Sequence, residues 1–313
     1  MKKIICFLAA VSLTCAVSAF SEPPAIERLH EAFYNDTKIP APDYEALYQA
    51  ACREAETLVP EAASGSAQGS GAGANSAVNA SAPASLSANA NDTAANAATS
   101  DNAASLSVNA ATRHTAGANA TAAAEAVKSA ANAWCKYLMA RILSQNGNNA
   151  EAEKLCDECI QQAEAALKAE GLSANEKACI LLVKTDGIAL NCNLKPFSYM
   201  LAHGLDVKKY AEEVLELSPK CGPAVFLAGA QLVYAPAPFN NYKKGAAYMI
   251  SALNDPKMQL SKTDIFDFSC AAATCLLNSK HPEDALPYLE KAASIFPDNA
   301  MLKGLLADYN RIQ

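Results

Sequence analysis

Two short segments near the C-terminus, neither able to fold alone, set the terms for the whole chain. The first runs from Phe266-Asp267-Phe268-Ser269-Cys270 through Ala271, Ala272 and Ala273 to Leu276. The second carries Ala285, Leu289, Ala292 and Ile295 at helical spacing. Between them lies the polar turn Asn278-Ser279-Lys280-His281-Pro282, and Pro297 closes the second segment because proline cannot continue a helix. Small residues let two helix backbones approach, and the larger ones fill the space beside them. Pro287 falls in the first half of the second helix, where proline costs least. Helix pairs of this kind bury their apolar faces only by stacking on neighbours, so the rest of the chain must supply those neighbours.

It does so with few β-branched alternations and many alanines and leucines, a composition that favours helix over sheet. Asn146-Gly147 marks a turn between helices over 123–144 and 150–169. Here Ala140, Leu143, Ala152, Cys156 and Cys159 take the places that Ala273, Leu276, Ala285, Leu289 and Ala292 hold in the first-described pair. No proline closes this second occurrence, so its second helix is expected to run to Gly171. Ser173-Ala174-Asn175-Glu176 has the form of a capping box and opens a helix to Asn191. Residues 196–204 read as irregular, with Asp206 capping a helix over 207–217 that ends before Pro219. Gly222-Pro223 starts the next helix, with proline at a first turn. Ala228, Gly229 and Leu232 give that helix its small and large packing residues. The connection Tyr234-Ala235-Pro236-Ala237-Pro238-Phe239-Asn240-Asn241 is extended and leads to a helix over 242–253. Residues 299–311 form the terminal helix. The expectation is eleven or twelve helices.

Upstream, Met1-Lys2-Lys3, the apolar run Ile4–Val17 and Val17-Ser18-Ala19 read as a secretory signal peptide cleaved after Ala19. The run is too short to span a bilayer. Cys15 is a second-choice lipidation site, since Leu13 and Thr14 match a lipoprotein signal poorly. Residues 20–60 hold helices over 25–33 and 43–58, the latter aligning Leu47, Ala51, Ala55 and Leu58. From 61 to 121 the chain is mostly Ala, Asn, Ser and Gly, without an aromatic residue. Such a stretch buries too little apolar surface to offset the entropy of ordering it. It reads as a disordered low-complexity insertion ahead of a helical repeat domain over 122–313.

The repeat spacing from Ala273 to Pro297 resembles the tetratricopeptide (TPR) repeat, a helix hairpin of about 34 residues. That resemblance implies an all-α, TPR-like α-solenoid. Tyr234-Ala235-Pro236, Phe239-Asn240-Asn241 and Lys244-Gly245, together with His203-Gly204, Lys208, Ala211 and Pro219, resemble the TPR component associated with TRAP transporters. In that family two glycines usually stand where this chain has Asn240-Asn241. The resemblance implies a periplasmic helical protein that handles an apolar or organic-acid ligand beside a solute-binding partner.

Chemistry in the residues is sparse. No Gly-x-Ser-x-Gly nucleophile elbow and no Gly-Lys-Ser/Thr phosphate loop occurs. The four histidines show no paired ligand spacing. Cys156-x-x-Cys159 puts two thiols on one helix face, a weak metal or redox candidate, but both occupy packing positions where cysteine acts as a small hydrophobe. Nine cysteines follow Ala19, and export permits disulfides, although their apolar positions argue against a bridged scaffold. In such repeats the first helices line a concave surface. Trp134, Tyr137 and Arg141 are therefore expected there as a binding trio, unless the aromatic pair packs on the preceding helix. Tyr234, Phe239 and Tyr242 are expected to line a second opening beside the long connection.

The sequence therefore points to a non-enzymatic, cofactor-free protein of the periplasm or envelope that works by binding. An adaptor for protein partners needs an open groove. An accessory of solute uptake needs an enclosed apolar cavity near Trp134 and Tyr234, with a periplasmic solute-binding protein as partner. A formal charge of −7 without a basic patch argues against nucleic acid, and membrane contact is expected only through a lipid anchor.

Overall fold

The computed structural model describes Arg28, Tyr34 and residues 41–57, 102–258, 260–279 and 281–312. The signal peptide, the Ala19 cleavage site, Cys15 and residues 61–101 of the low-complexity stretch lie outside the described residues, as does nearly all of the helix expected over 25–33. Ten helices make up the described chain, and no strand occurs among those residues. They are α1 (Ala41–Thr57), α2 (Asn102–Gln145), α3 (Asn149–Ala166), α4 (Ala174–Leu194), α5 (Phe197–Leu217), α6 (Gly222–Tyr234), α7 (Tyr242–Asn254), α8 (Lys262–Asn278), α9 (Pro282–Ala293) and α10 (Ala300–Ile312). Each helix packs on the next, and α2 also touches α4, α6 touches α8, and α8 touches α10. The protein is all-α.

Local signals place most helix ends. Ser173 accepts from the Glu176 backbone N–H while Glu176 accepts from that of Ser173, so the expected capping box opens α4. A second box, Ser261 with Asp264, opens α8. Pro223 sits in the first turn of α6, and Asn241 caps α7. Pro287 lies inside α9, as its position in that segment requires. Asn299 caps α10 by accepting from the N–H groups of Met301 and Leu302.

Three expectations are corrected. First, α2 begins at Asn102, ahead of the start expected for this helix at residue 123. Alanine has the highest helix propensity, and Ala103, Ala104, Ala110, Ala111 and Ala122–Ala124 let the folded helix propagate backwards. Part of this extension packs: a Cβ on Gly171 would meet the Asn119 carbonyl oxygen at 2.9 Å. Second, α3 ends at Ala166, and the chain turns through Gly171 at φ +81, a left-handed conformation that suits glycine. Third, residues 197–217 are one continuous helix behind Pro196, so the irregular segment over 196–204 and the Asp206 cap are both replaced. Phe197, Met200, Leu201 and Ala202 continue the helix without a break, and Asp206 pairs with His203 Nδ1 at 3.1 Å within it.

The core follows the seams between helices. Ala140, Ala152, Cys156 and Cys159 are buried in the α2–α3 seam, and Ala273, Leu276, Ala285, Leu289 and Ala292 in the α8–α9 seam. The two sets of equivalent positions therefore do the same work. Gly229 shows why α6 needs a residue without a side chain. A Cβ there would lie 2.5 Å from the Tyr248 ring of α7.

Candidate functional site

Two regions depart from an ordinary helical core, one inside and one on the surface. The interior one contains the predicted trio. Trp134, Tyr137 and Arg141 are all buried, so none of them faces an open concave surface. Arg141 is the largest fully buried side chain among the described residues. Its guanidinium carbon lies 5.5 Å from the Tyr34 ring centroid and 5.6 Å from that of Tyr137, within cation–π range. Tyr34 comes from upstream of α1 and fills the space that an open groove would need. Its hydroxyl donates to Asp267 Oδ2 of α8 at 2.8 Å, and its carbonyl accepts from Asn299 Nδ2 at 3.0 Å. Its ring stacks on Phe296 at 4.9 Å and meets Phe266 edge-on at 5.7 Å.

Acids gather around this arginine. Asp267 and Asp264 of α8 and Asp186 of α4 are all buried. Burial pushes the Asp267 carboxyl well above the usual carboxylate range, against the pull of Arg141 and the Tyr34 hydrogen bond. Burial likewise raises Asp186, again opposed by Arg141. Desolvation works against the Arg141 charge, but Tyr137, Tyr34 and Asp267 outweigh it and raise its pKa. Asp186 and Asp267 were not singled out from the sequence. Their signal was present: Asp267 sits between Phe266 and Phe268, and Asp186 lies in the apolar run from Ile180 to Leu190.

The surface region lies where α5, α6 and the 235–241 connection meet. Phe197, Leu201, Leu205 and Phe239 are 58, 58, 66 and 57% exposed, four of the six large hydrophobic residues exposed among those described. The first three stand at i, i+4 and i+8 on α5 and form one stripe. Beside it opens an apolar pocket of about 180 Å³, walled by Met200, Leu201 and Leu205 of α5, Leu227 and Ala230 of α6, and Phe239. Lys208 and Gln231 supply the polar side chains of its lining, and Cys192 contributes a thiol that burial pushes up to about 12. Of the second predicted set, Phe239 therefore reaches a pocket, whereas Tyr234 is buried against Phe226 and Tyr242 is half-buried. Trp134 has no part in this lining. The stripe was missed because residues 196–204 were read as a loop, in which a spacing of four has no meaning.

The thiols show no activation. Burial raises both Cys156 and Cys159, the direction opposite to a reactive thiolate. All nine cysteines after Ala19 carry free thiols. Among the described residues, one set of three possible ligands converges, His281, Glu283 and Asp284. All three are exposed at the start of α9, where acidic side chains complement the helix dipole. No described helix is long and apolar enough to cross a membrane.

Compared with family models, with curated proteins and with solved structures, the chain matches none.

Proposed function

We propose that this chain is a non-enzymatic binding module, a TPR-like α-solenoid of the periplasm or envelope, that docks a protein partner on the α5–α6 ridge. One observation carries the reading: Leu201, Leu205 and Phe239 stand exposed around one pocket, and Phe197 extends their stripe beyond it. Apolar patches of this kind mark interaction surfaces. The partner is an apolar protein segment. Residues 196–205 and 221–242 contain no Asp, Glu, Lys or Arg, and Lys208 is the one charged residue in the pocket lining, so the surface is mainly apolar. The stripe also continues past the pocket to Phe197, further than a pocket-sized ligand reaches. The order of packing, each helix on the next with α2–α4, α6–α8 and α8–α10 also in contact, supports stacked hairpins.

The pocket volume favours a second reading, an uptake accessory of the TRAP type that holds a small apolar ligand. Photo-crosslinking in the native envelope separates the two. A benzophenone side chain placed at Leu201, and separately at Phe239, is expected to trap the same protein, while one at Leu286 traps none. Lipid or small-molecule adducts in its place select the second reading. No site-specific adduct at either position removes both.

A further inference from the structure

The interior holds a group that the binding reading does not use. Asp186 is 1% exposed, and neither of its carboxylate oxygens has a hydrogen-bond partner. A buried ionised carboxylate without partners is among the costliest arrangements in a protein, and such a group neutralises instead. Asp186 differs in this from Asp264, whose carboxylate accepts from the Ser261 N–H and hydroxyl, and from Asp267, which accepts from Tyr34.

The surrounding charges point the same way. From α2, Arg141 favours ionisation of Asp186, while Tyr137 shares its field. From α3, Cys156 and Cys159 face it as neutral thiols. From α8, Asp264 opposes its ionisation, and Asp186 in turn raises Asp267. The opposite side of α4 gathers its charge elsewhere, with Lys184 held by Glu164 at 3.0 Å and by the Tyr210 ring of α5 at 4.3 Å. Arg141 is thus the cation that acts on both Asp186 and Asp267. Asp267 also accepts a hydrogen bond from Tyr34, a partner that Asp186 lacks.

We propose that Asp186 is a proton-binding site of the folded chain, a carboxyl group that carries a proton while α4 is packed against α2 and α3 and releases it when that packing opens. The interior thereby becomes pH-sensitive. In the unfolded chain Asp186 titrates near its ordinary value of about 3.9. Folding raises it, so the folded chain binds more protons above that point. The Asp186 contribution to stability therefore falls as pH rises from about 4 to the folded pKa, and is flat beyond it.

The test uses the full chain. Urea midpoints of the wild type and Asp186→Asn are compared from about pH 5 to about pH 8. The variant is expected to gain on the wild type as pH rises towards the folded pKa, and to hold that gain beyond it, because Asn cannot take up a charge. A constant difference overturns the proposal, and so does a variant that loses ground as pH rises. A measurement on the wild type holds even where the variant fails to fold. Infrared spectra near neutral pH are expected to show the C=O stretch of a buried protonated carboxyl group. Its absence overturns the proposal. Where Asp186→Asn folds, persistence of the whole band assigns the proton elsewhere and overturns it too.

Discussion

The α5–α6 ridge and the Arg141 centre invert each other. On the ridge, phenylalanine and leucine stand in water; in the centre, an arginine and three aspartates are shut away from it. Scattered apolar residues on a surface need no explanation, but a cluster around a pocket does, and so does a buried charge. The two regions carry their cost in opposite ways. The centre is tied into the fold by Tyr34, which joins α2, α8 and Asn299, so its residues cannot change without disturbing several helices. The ridge is supported from beneath by α6 and bears little on its outer side. Polar groups inside report on how this chain holds together, while the apolar groups outside report on what it meets.

Breaking the centre should have the largest effect. Arg141→Met leaves Asp267 without the cation that favours its ionised form. The expected loss is roughly 3–5 kcal/mol of unfolding free energy, measured by urea denaturation near neutral pH. The loss should shrink at acidic pH, where Asp267 is protonated. A loss that does not depend on pH would assign Arg141 a packing role alone. Tyr34→Phe is milder. It removes the 2.8 Å hydrogen bond to Asp267 but keeps the ring on Phe296 and Phe266. About 1–2 kcal/mol should be lost by the same measurement. On the ridge, Leu205→Ser should change stability by no more than about 0.5 kcal/mol while weakening crosslinking at Leu201. A large drop in thermal midpoint would show that the ridge is part of the core, and would dissolve the contrast between the two regions.

The predicted trio shows how far reading residues could go. Trp134, Tyr137 and Arg141 do share one side of α2, as their spacing requires, and they do face inward. Spacing says nothing about what occupies the space they face. Tyr34, at least 100 positions earlier in the chain, packs against Arg141 there. The surface site failed for a different reason. Gly204 and Pro196 suggest a loop, and a loop gives the spacing of Phe197, Leu201 and Leu205 no common face.

Local chemistry was sufficient for the all-helical class, the capping box at Ser173, the proline in the first turn of α6 and the seam positions of both hairpins. Each depends on residues within a few positions of one another, or on a repeat of the same spacing. Where α2 begins, whether α5 is continuous, which acids surround Arg141 and where the pocket opens were decided only by the packed chain. These features arise between residues far apart in sequence, and helix propensity yields to burial when the two compete.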